Sequence, residues 1–203
     1  MRFLVVGATG TIGSAVVSAL EEKGHEVLEA SRSAEYSVDI RDPDSIQALY
    51  DEVGTIDGVV SCAGNAAFKP LLELEDDDID RSLEDKLLGQ VNLVRFGAEH
   101  VSDDGVFVLT AGIFSQDPPP GVPAIAMVNG ALESFARAAA LDLSRGIRIN
   151  TVSPPFITET AREMGMSTEG TISAADNAEV YVAVVEGDRT GEVIYSGEEV
   201  GRA

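Results

Sequence analysis

The sequence predicts a doubly wound α/β fold, formed as a single domain over residues 1–203. Three observations carry that expectation. A short apolar run, residues 3–6, is followed at once by glycines at 7, 10 and 13 and then by a helix-period stripe of Ile12, Val16, Val17 and Leu20. Strand-like and helix-like segments then alternate to the end of the chain, which favours a parallel sheet covered on both faces. Hydrophobic residues make up 44% of the chain, enough for a packed core, and there is no internal repeat or linker.

The elements follow in order. Gly24 stops the first helix. Residues 26–30 read as a second strand and 36–40 as a short third. Asp42 and Pro43 supply an N-cap acid and a first-turn proline, and Ile46, Leu49, Tyr50 and Val53 form the stripe of the helix they open. Residues 57–61 are the next strand, running into Cys62-Ala63-Gly64-Asn65. A long helix is expected over 77–100, with Ile79, Leu83, Leu87, Val91 and Val94 on one face. Residues 105–110 are strand-like, 116–122 a proline-rich loop, and 124–144 an alanine-rich helix able to pack closely. Residues 147–152 form a strand. Pro154-Pro155 breaks the chain into an irregular segment, 158–171, which could act as a mobile lid. A helix over 173–186 and a strand over 192–195 complete the set.

The glycine turn has a chemical meaning. Glycines let the backbone turn tightly and let a pyrophosphate approach, while the N–H groups and positive dipole end of the helix hold the anion. With the strand before it and the helix after it, the turn points to a dinucleotide cofactor held by Gly7, Thr9, Gly10, Thr11, Ile12 and Gly13.

Composition excludes several classes. Thirty-five acids face fourteen bases, a formal net charge of −21, and the only lysines are Lys23, Lys69 and Lys86. Such a surface repels nucleic acid and anionic membranes. Molar salt shortens the Debye length to about 3 Å and screens the self-repulsion, so a halophilic cytoplasm is the expected setting. The acids at 73–80 read as a solvated helix start rather than a cation site. No signal peptide is expected, and no apolar run approaches the roughly 20 residues of a membrane helix. Cys62 alone cannot form an internal disulfide, which fits a reducing compartment. His25 and His100 give no metal cluster, so no metal is expected.

Taken together, these residues resemble the short-chain dehydrogenase/reductase family over nearly the whole chain. The segment Gly7-Ala8-Thr9-Gly10-Thr11-Ile12-Gly13 is similar to its cofactor loop. Val38-Asp39-Ile40 resembles its adenine-contacting acid, and Ser61-Cys62-Ala63-Gly64 stands where the family usually has Asn-Asn-Ala-Gly. Residues 131–143 resemble the helix behind its active site. Residues 148–155 resemble its penultimate strand and nicotinamide loop, with Pro155 in place of the usual glycine. Met127-Val128-Asn129-Gly130-Ala131-Leu132-Glu133 is similar to a compact branch of the family. The resemblance implies seven parallel strands in the order 3-2-1-4-5-6-7, a dinucleotide-binding fold of the Rossmann type, and a homodimer or homotetramer formed through the two long helices. It also implies cofactor contacts from Ser31, Arg32, Ser33, Asp39, Ile40, Cys62, Ala63, Gly64, Pro154 and Ile157.

The departures from the family are chemical. Its proton donor is a tyrosine four residues before a lysine, and no Tyr-x-x-x-Lys occurs here. By register Ile125 takes the tyrosine position and Asn129 the lysine position. The carbonyl-polarising serine falls among Thr110, Ala111 and Gly112, and Lys86 stands where the family usually has an active-site asparagine. Reduction of a carbonyl requires a proton source near the developing alkoxide, which Ile125 cannot supply. Three readings follow. The enzyme persists with Lys86 as acid or stabiliser, Thr110 as hydroxyl donor, and Ser115 or Asn129 orienting a small alcohol or carbonyl substrate. Or the fold keeps its cofactor and acts as a redox sensor or scaffold. Or it binds another nucleotide. Each candidate also has a plain structural reading: Lys86 as a solvated helix lysine, Thr110 as a strand end, Ser115 as a loop hydroxyl, Asn129 as a backbone partner, Cys62 as a small core residue.

Cofactor choice rests on Ala30-Ser31-Arg32-Ser33. An arginine after the second strand pairs with a 2′-phosphate and favours NADP. An acid there accepts the ribose hydroxyl and favours NAD, which Glu29 leaves open.

Overall fold

The computed structural model describes residues 1–197. Seven parallel strands form one sheet in the order β3-β2-β1-β4-β5-β6-β7. They are β1 (Arg2–Val6), β2 (Glu26–Ser31), β3 (Tyr36–Ser37), β4 (Ile56–Ser61), β5 (Val101–Thr110), β6 (Arg148–Val152) and β7 (Val193–Ile194). The helices are α1 (Thr11–Glu22), α2 (Pro43–Val53), α3 (Asp76–Ser82), α4 (Gly89–Gly97), α5 (Pro123–Asp142), α6 (Thr158–Glu163) and α7 (Ala174–Glu186).

Strand periodicity divides the core. In β1, Phe3 and Val5 face α1 and α7, while Leu4 and Val6 face the layer of α2, α4 and α5. In β5, Val106 and Val108 take the first side, Phe107 and Leu109 the second. Both faces are covered, which is why these strands read as apolar runs without polar alternation. On α1, Val16 and Leu20 are fully buried, each stabilising by about 1.5–3 kcal/mol. Asp42 caps α2 as its residue type suggests: its carboxylate accepts from the Asp44 N–H at 3.0 Å.

Four elements differ from the sequence expectation. The third strand spans only Tyr36–Ser37 rather than 36–40, since pairing with β2 ends at Ser31 and Ser37. The long helix is interrupted by a π turn, Leu83–Leu88, between α3 and α4, and the helical run ends at Gly97 rather than 100. Periodicity missed this because a π turn inserts an extra residue without removing the apolar character of either flank. The irregular segment after Pro155 contains α6, closed by the Met164 N–H donating to the Thr160 carbonyl at 3.0 Å. β5 begins at Val101, four residues before Gly105, because Val101 pairs with Ile56 before the register shifts to Gly58 and Val106.

The order of strands reverses between β1 and β4. The loops leaving their carboxyl ends, 7–10 and 62–65, therefore diverge and leave a crevice, the place where open α/β sheets bind ligands.

Candidate active site

The crevice holds two cavities that share Cys62, Ala63, Gly64 and Asn65. The first, about 270 Å³, is a cradle built around the glycine turn. Gly7 has φ +86°, and a Cβ there would stand 2.8 Å from the Ala63 nitrogen. A Cβ on Gly13 would come 2.1 Å from the Gly7 carbonyl oxygen. These two glycines are thus required by backbone shape and by close approach. No side chain caps α1, so its first N–H groups are left for a ligand anion. Gly7, Thr9 and Gly10 line this cavity. Thr11 and Gly13 line neither cavity: Thr11 opens α1, and Gly13 packs against Gly7.

At the far end of the cradle stand Ser31, Arg32, Ser33, Asp39 and Ile40, as the sequence suggested, and also Arg41, which it did not. Asp39 lines the cradle, and its carboxylate accepts from Arg41 Nε at 2.9 Å and Nη2 at 2.5 Å in a fork-shaped ion pair, which holds its pKa down at about 2. Asp85, the other acid on this wall, accepts from Asn65 Nδ2 at 3.5 Å. The signal for Arg41 was present two residues after Asp39, a spacing at which the side chain folds back on the acid.

The second cavity, about 370 Å³, lies beside the first and is largely apolar. Ile12, Pro154 and Ile157 line it, with Ile125 in the wall. Phe68, Phe114 and Phe156 line it as one packed cluster, with ring centroids 6.2–6.3 Å apart, Phe68 edge-on to the other two and Phe114 and Phe156 stacked at 23°. None of these rings was singled out from sequence, since they come from three separate loops.

Lys86 reaches this cavity from the π turn and is 7% exposed. Its Nζ donates to the Ala111 carbonyl at 3.3 Å, and burial lowers its pKa to about 8. Two features fix it. Gly64, at φ +113°, lets the β4 loop pass so close that a Cβ would stand 2.8 Å from Lys86 Cα. Gln90 donates to both the Lys86 carbonyl, at 3.2 Å, and the Thr110 carbonyl, at 2.9 Å, stitching the π turn to the end of β5. Asn129 also lines the cavity. Its Nδ2 donates to the Gly112 carbonyl at 3.2 Å, and its buried Oδ1 has no partner.

The hydroxyl candidates are corrected. Thr110 Oγ1 donates to the Ser61 carbonyl at 2.6 Å and shares a hydrogen bond of 2.7 Å with the Tyr181 hydroxyl, so it is not free to act on a ligand. Ser115 lies outside both cavities and donates to Glu133 Oε1 at 2.7 Å. Ser153 donates to the same oxygen at 2.7 Å. One buried carboxylate on α5 thus ties the loop of Phe114 to the loop of Phe156. Burial pushes the Cys62 thiol up to about 12, which makes it inert as an acid or nucleophile. Among the described residues no cluster of His, Cys, Asp or Glu could hold a metal, and no helix is long and apolar enough to cross a membrane.

The chain was compared with known proteins. The family model described as enoyl-(acyl carrier protein) reductase matches residues 7–194. Versicolorin reductase 1 of Aspergillus parasiticus is 29% identical over 181 residues, covering 76% of this chain and 68% of the relative. Human L-xylulose reductase is 28% identical over 174 residues, covering 77% of this chain and 71% of the relative. Among solved structures, the protein lin1944 from Listeria innocua is 42% identical with a TM-score of 0.92, covering 96% of this chain and 98% of the other. A small-chain dehydrogenase in complex with NADPH is 25% identical with a TM-score of 0.87, and 97% of each chain is covered.

Proposed function

The chain belongs to the short-chain dehydrogenase/reductase family, and from that membership we propose that it is an NADP(H)-dependent oxidoreductase acting on a small carbonyl or alcohol. The residues present fit the cofactor. The cradle lined by Gly7, Thr9 and Gly10 at the uncapped start of α1 suits a pyrophosphate, and the unpartnered Asn129 Oδ1 suits a ribose hydroxyl. Arg32 and Arg41, with the hydroxyls of Ser31 and Ser33 beside them, suit a 2′-phosphate better than a bare ribose. The bound NADPH of the neighbouring dehydrogenase supports the same choice. When bound, NADPH supplies a hydride to the substrate carbon.

The single observation that carries the catalytic reading is Lys86. It is a buried cation facing the cavity beside the cradle, and its lowered pKa puts it near neutral pH. In this reading Lys86 holds a proton or positive charge at the substrate oxygen, Asn129 orients the ribose, and Phe68, Phe114 and Phe156 exclude water. The absence of a free hydroxyl at Thr110 or Ser115 favours the second reading, a cofactor-binding sensor or scaffold without turnover.

The test is NADPH oxidation across a panel of aldehydes and ketones, with Lys86→Met as control. Turnover by the wild type and its loss in Lys86→Met supports the enzyme. Tight NADPH binding with no turnover of any carbonyl supports the sensor. The acidic composition supports a salt-rich cytoplasm, for which thermal stability rising with molar salt is the check. Assembly through α4 and α5 into a homodimer or homotetramer belongs to the same proposal and is read by light scattering.

A further inference from the structure

The cleft combines a buried cation with a shortage of acidic hydroxyls. Among the described residues no carboxylate pairs with Lys86, although the chain carries 35 acids, and none of the residues lining this cavity is an acid. An ammonium has three N–H donors, and one is directed at the Ala111 carbonyl, so two remain. Buried donors left without acceptors are costly, so a ligand in this cavity is expected to bring acceptor oxygens for them.

The proton-bearing groups around Lys86 are few. Thr110 is bound to Ser61 and Tyr181, and the Cys62 thiol is too weak an acid. Thr160 carries an aliphatic hydroxyl, about as weak an acid as water at ~16. Ile125, also in the wall, has no proton to give. What is missing beside the cation is a free hydroxyl that could relay a proton between the ammonium and a substrate oxygen, as a phenol near pKa ~10 would.

We propose, resting on the reductase reading above, that the substrate supplies this hydroxyl itself: it is an ortho-acylphenol, a ketone on an aromatic ring with a hydroxyl at the adjacent ring position, whose two oxygens take the two spare donors of Lys86. The flat ring suits the walls formed by Phe68, Phe114 and Phe156. The step balances. The carbonyl carbon takes a hydride from the reduced nicotinamide, forming a C–H bond, and the C=O π pair moves onto its oxygen. That oxygen takes the proton of the neighbouring phenol, giving the alcohol. The phenol oxygen keeps its bonding pair and takes a proton from the Lys86 ammonium beside it, and the lysine recovers a proton from water on release. The ketone is reduced and the nicotinamide oxidised.

Two measurements on the NADP-loaded protein test this. The first is calorimetric titration of the NADP⁺ complex with ortho-hydroxyacetophenone and with acetophenone. Both ligands should bind more weakly to Lys86→Met than to wild type, and the hydroxylated one, which engages two donors, should lose at least tenfold more affinity than acetophenone, which engages one. The second is product formation with ortho-hydroxyacetophenone, ortho-methoxyacetophenone and acetophenone. Loss of an internal general acid should slow the last two by at least about a hundredfold. Equal turnover of all three would overturn the inference and leave the reductase reading standing. Reduction of no carbonyl would overturn both. Equal binding of ortho-hydroxyacetophenone by wild type and Lys86→Met would overturn the inference alone.

Discussion

The Lys86 ammonium lies 3.3 Å from the carbonyl oxygen of Ala111, the residue that follows the last residue of β5. Among the described residues its hydrogen-bond partner is thus a neutral backbone dipole, in a protein with acids to spare. The arrangement orients the side chain toward the cavity without neutralising it.

That environment sets the pH dependence. Burial lowers the Lys86 pKa to about 8, while Asp85 and the Cys62 sulfur act weakly in the opposite direction. A lysine needed in its charged form is lost as pH rises through that value. Activity measured as kcat/KM should therefore be level below about 8 and fall above it. A profile that rises through the same range would mean that neutral Lys86 is the active form.

The same burial costs stability. The folded pKa is depressed from 10.5 to about 8, so the folded state binds fewer protons than the unfolded state between these values. The penalty is fully present below about 8 and is relieved as pH rises toward 10.5. Lys86→Met should stabilise the protein at neutral pH, by on the order of 1–3 kcal/mol, and the gain should shrink at alkaline pH. Urea unfolding at two pH values measures it.

Gly13→Ala tests the cradle. Its Cβ would meet the Gly7 carbonyl at 2.1 Å, and both partners are backbone. The turn must shift, at about 1–3 kcal/mol, and NADPH binding should be lost while the far-ultraviolet circular dichroism stays unchanged. Retained binding would show that the turn does not form the cofactor cradle.

Glu133 should separate size from chemistry. Glu133→Gln keeps an oxygen that both Ser115 and Ser153 can donate to, and should behave nearly as wild type. Glu133→Ala leaves Ser153 without this acceptor and Ser115 with the Gly112 carbonyl at 3.2 Å, should cost about 1–3 kcal/mol in thermal unfolding, and should loosen the loops of Phe114 and Phe156.

The strand order followed from the family resemblance, whereas the first strand and the glycine turn could be read from the residues because they are encoded locally. Phe3 to Val6 is a run only a two-sided strand permits, and Gly7 and Gly13 occupy positions where a side chain has no room. The site was less legible. The π turn under Lys86 leaves no mark on the apolar stripe. Thr110 and Ser115 carry suitable hydroxyls, but their partners Tyr181 and Glu133 lie 71 and 18 residues away in sequence. The three phenylalanines gather only once three loops are folded together. Arg41 was overlooked because Asp39 was read as a ligand contact rather than as half of an ion pair.

The most direct test of the account is an equilibrium titration of the protein with NADPH and with NADH in molar salt, repeated on Arg32→Ala. The account predicts tight NADPH binding, weak NADH binding, and a loss of NADPH affinity of more than tenfold, about 1.4 kcal/mol, in the variant. Binding of neither cofactor, or equal affinity for both that Arg32→Ala leaves unchanged, would contradict it.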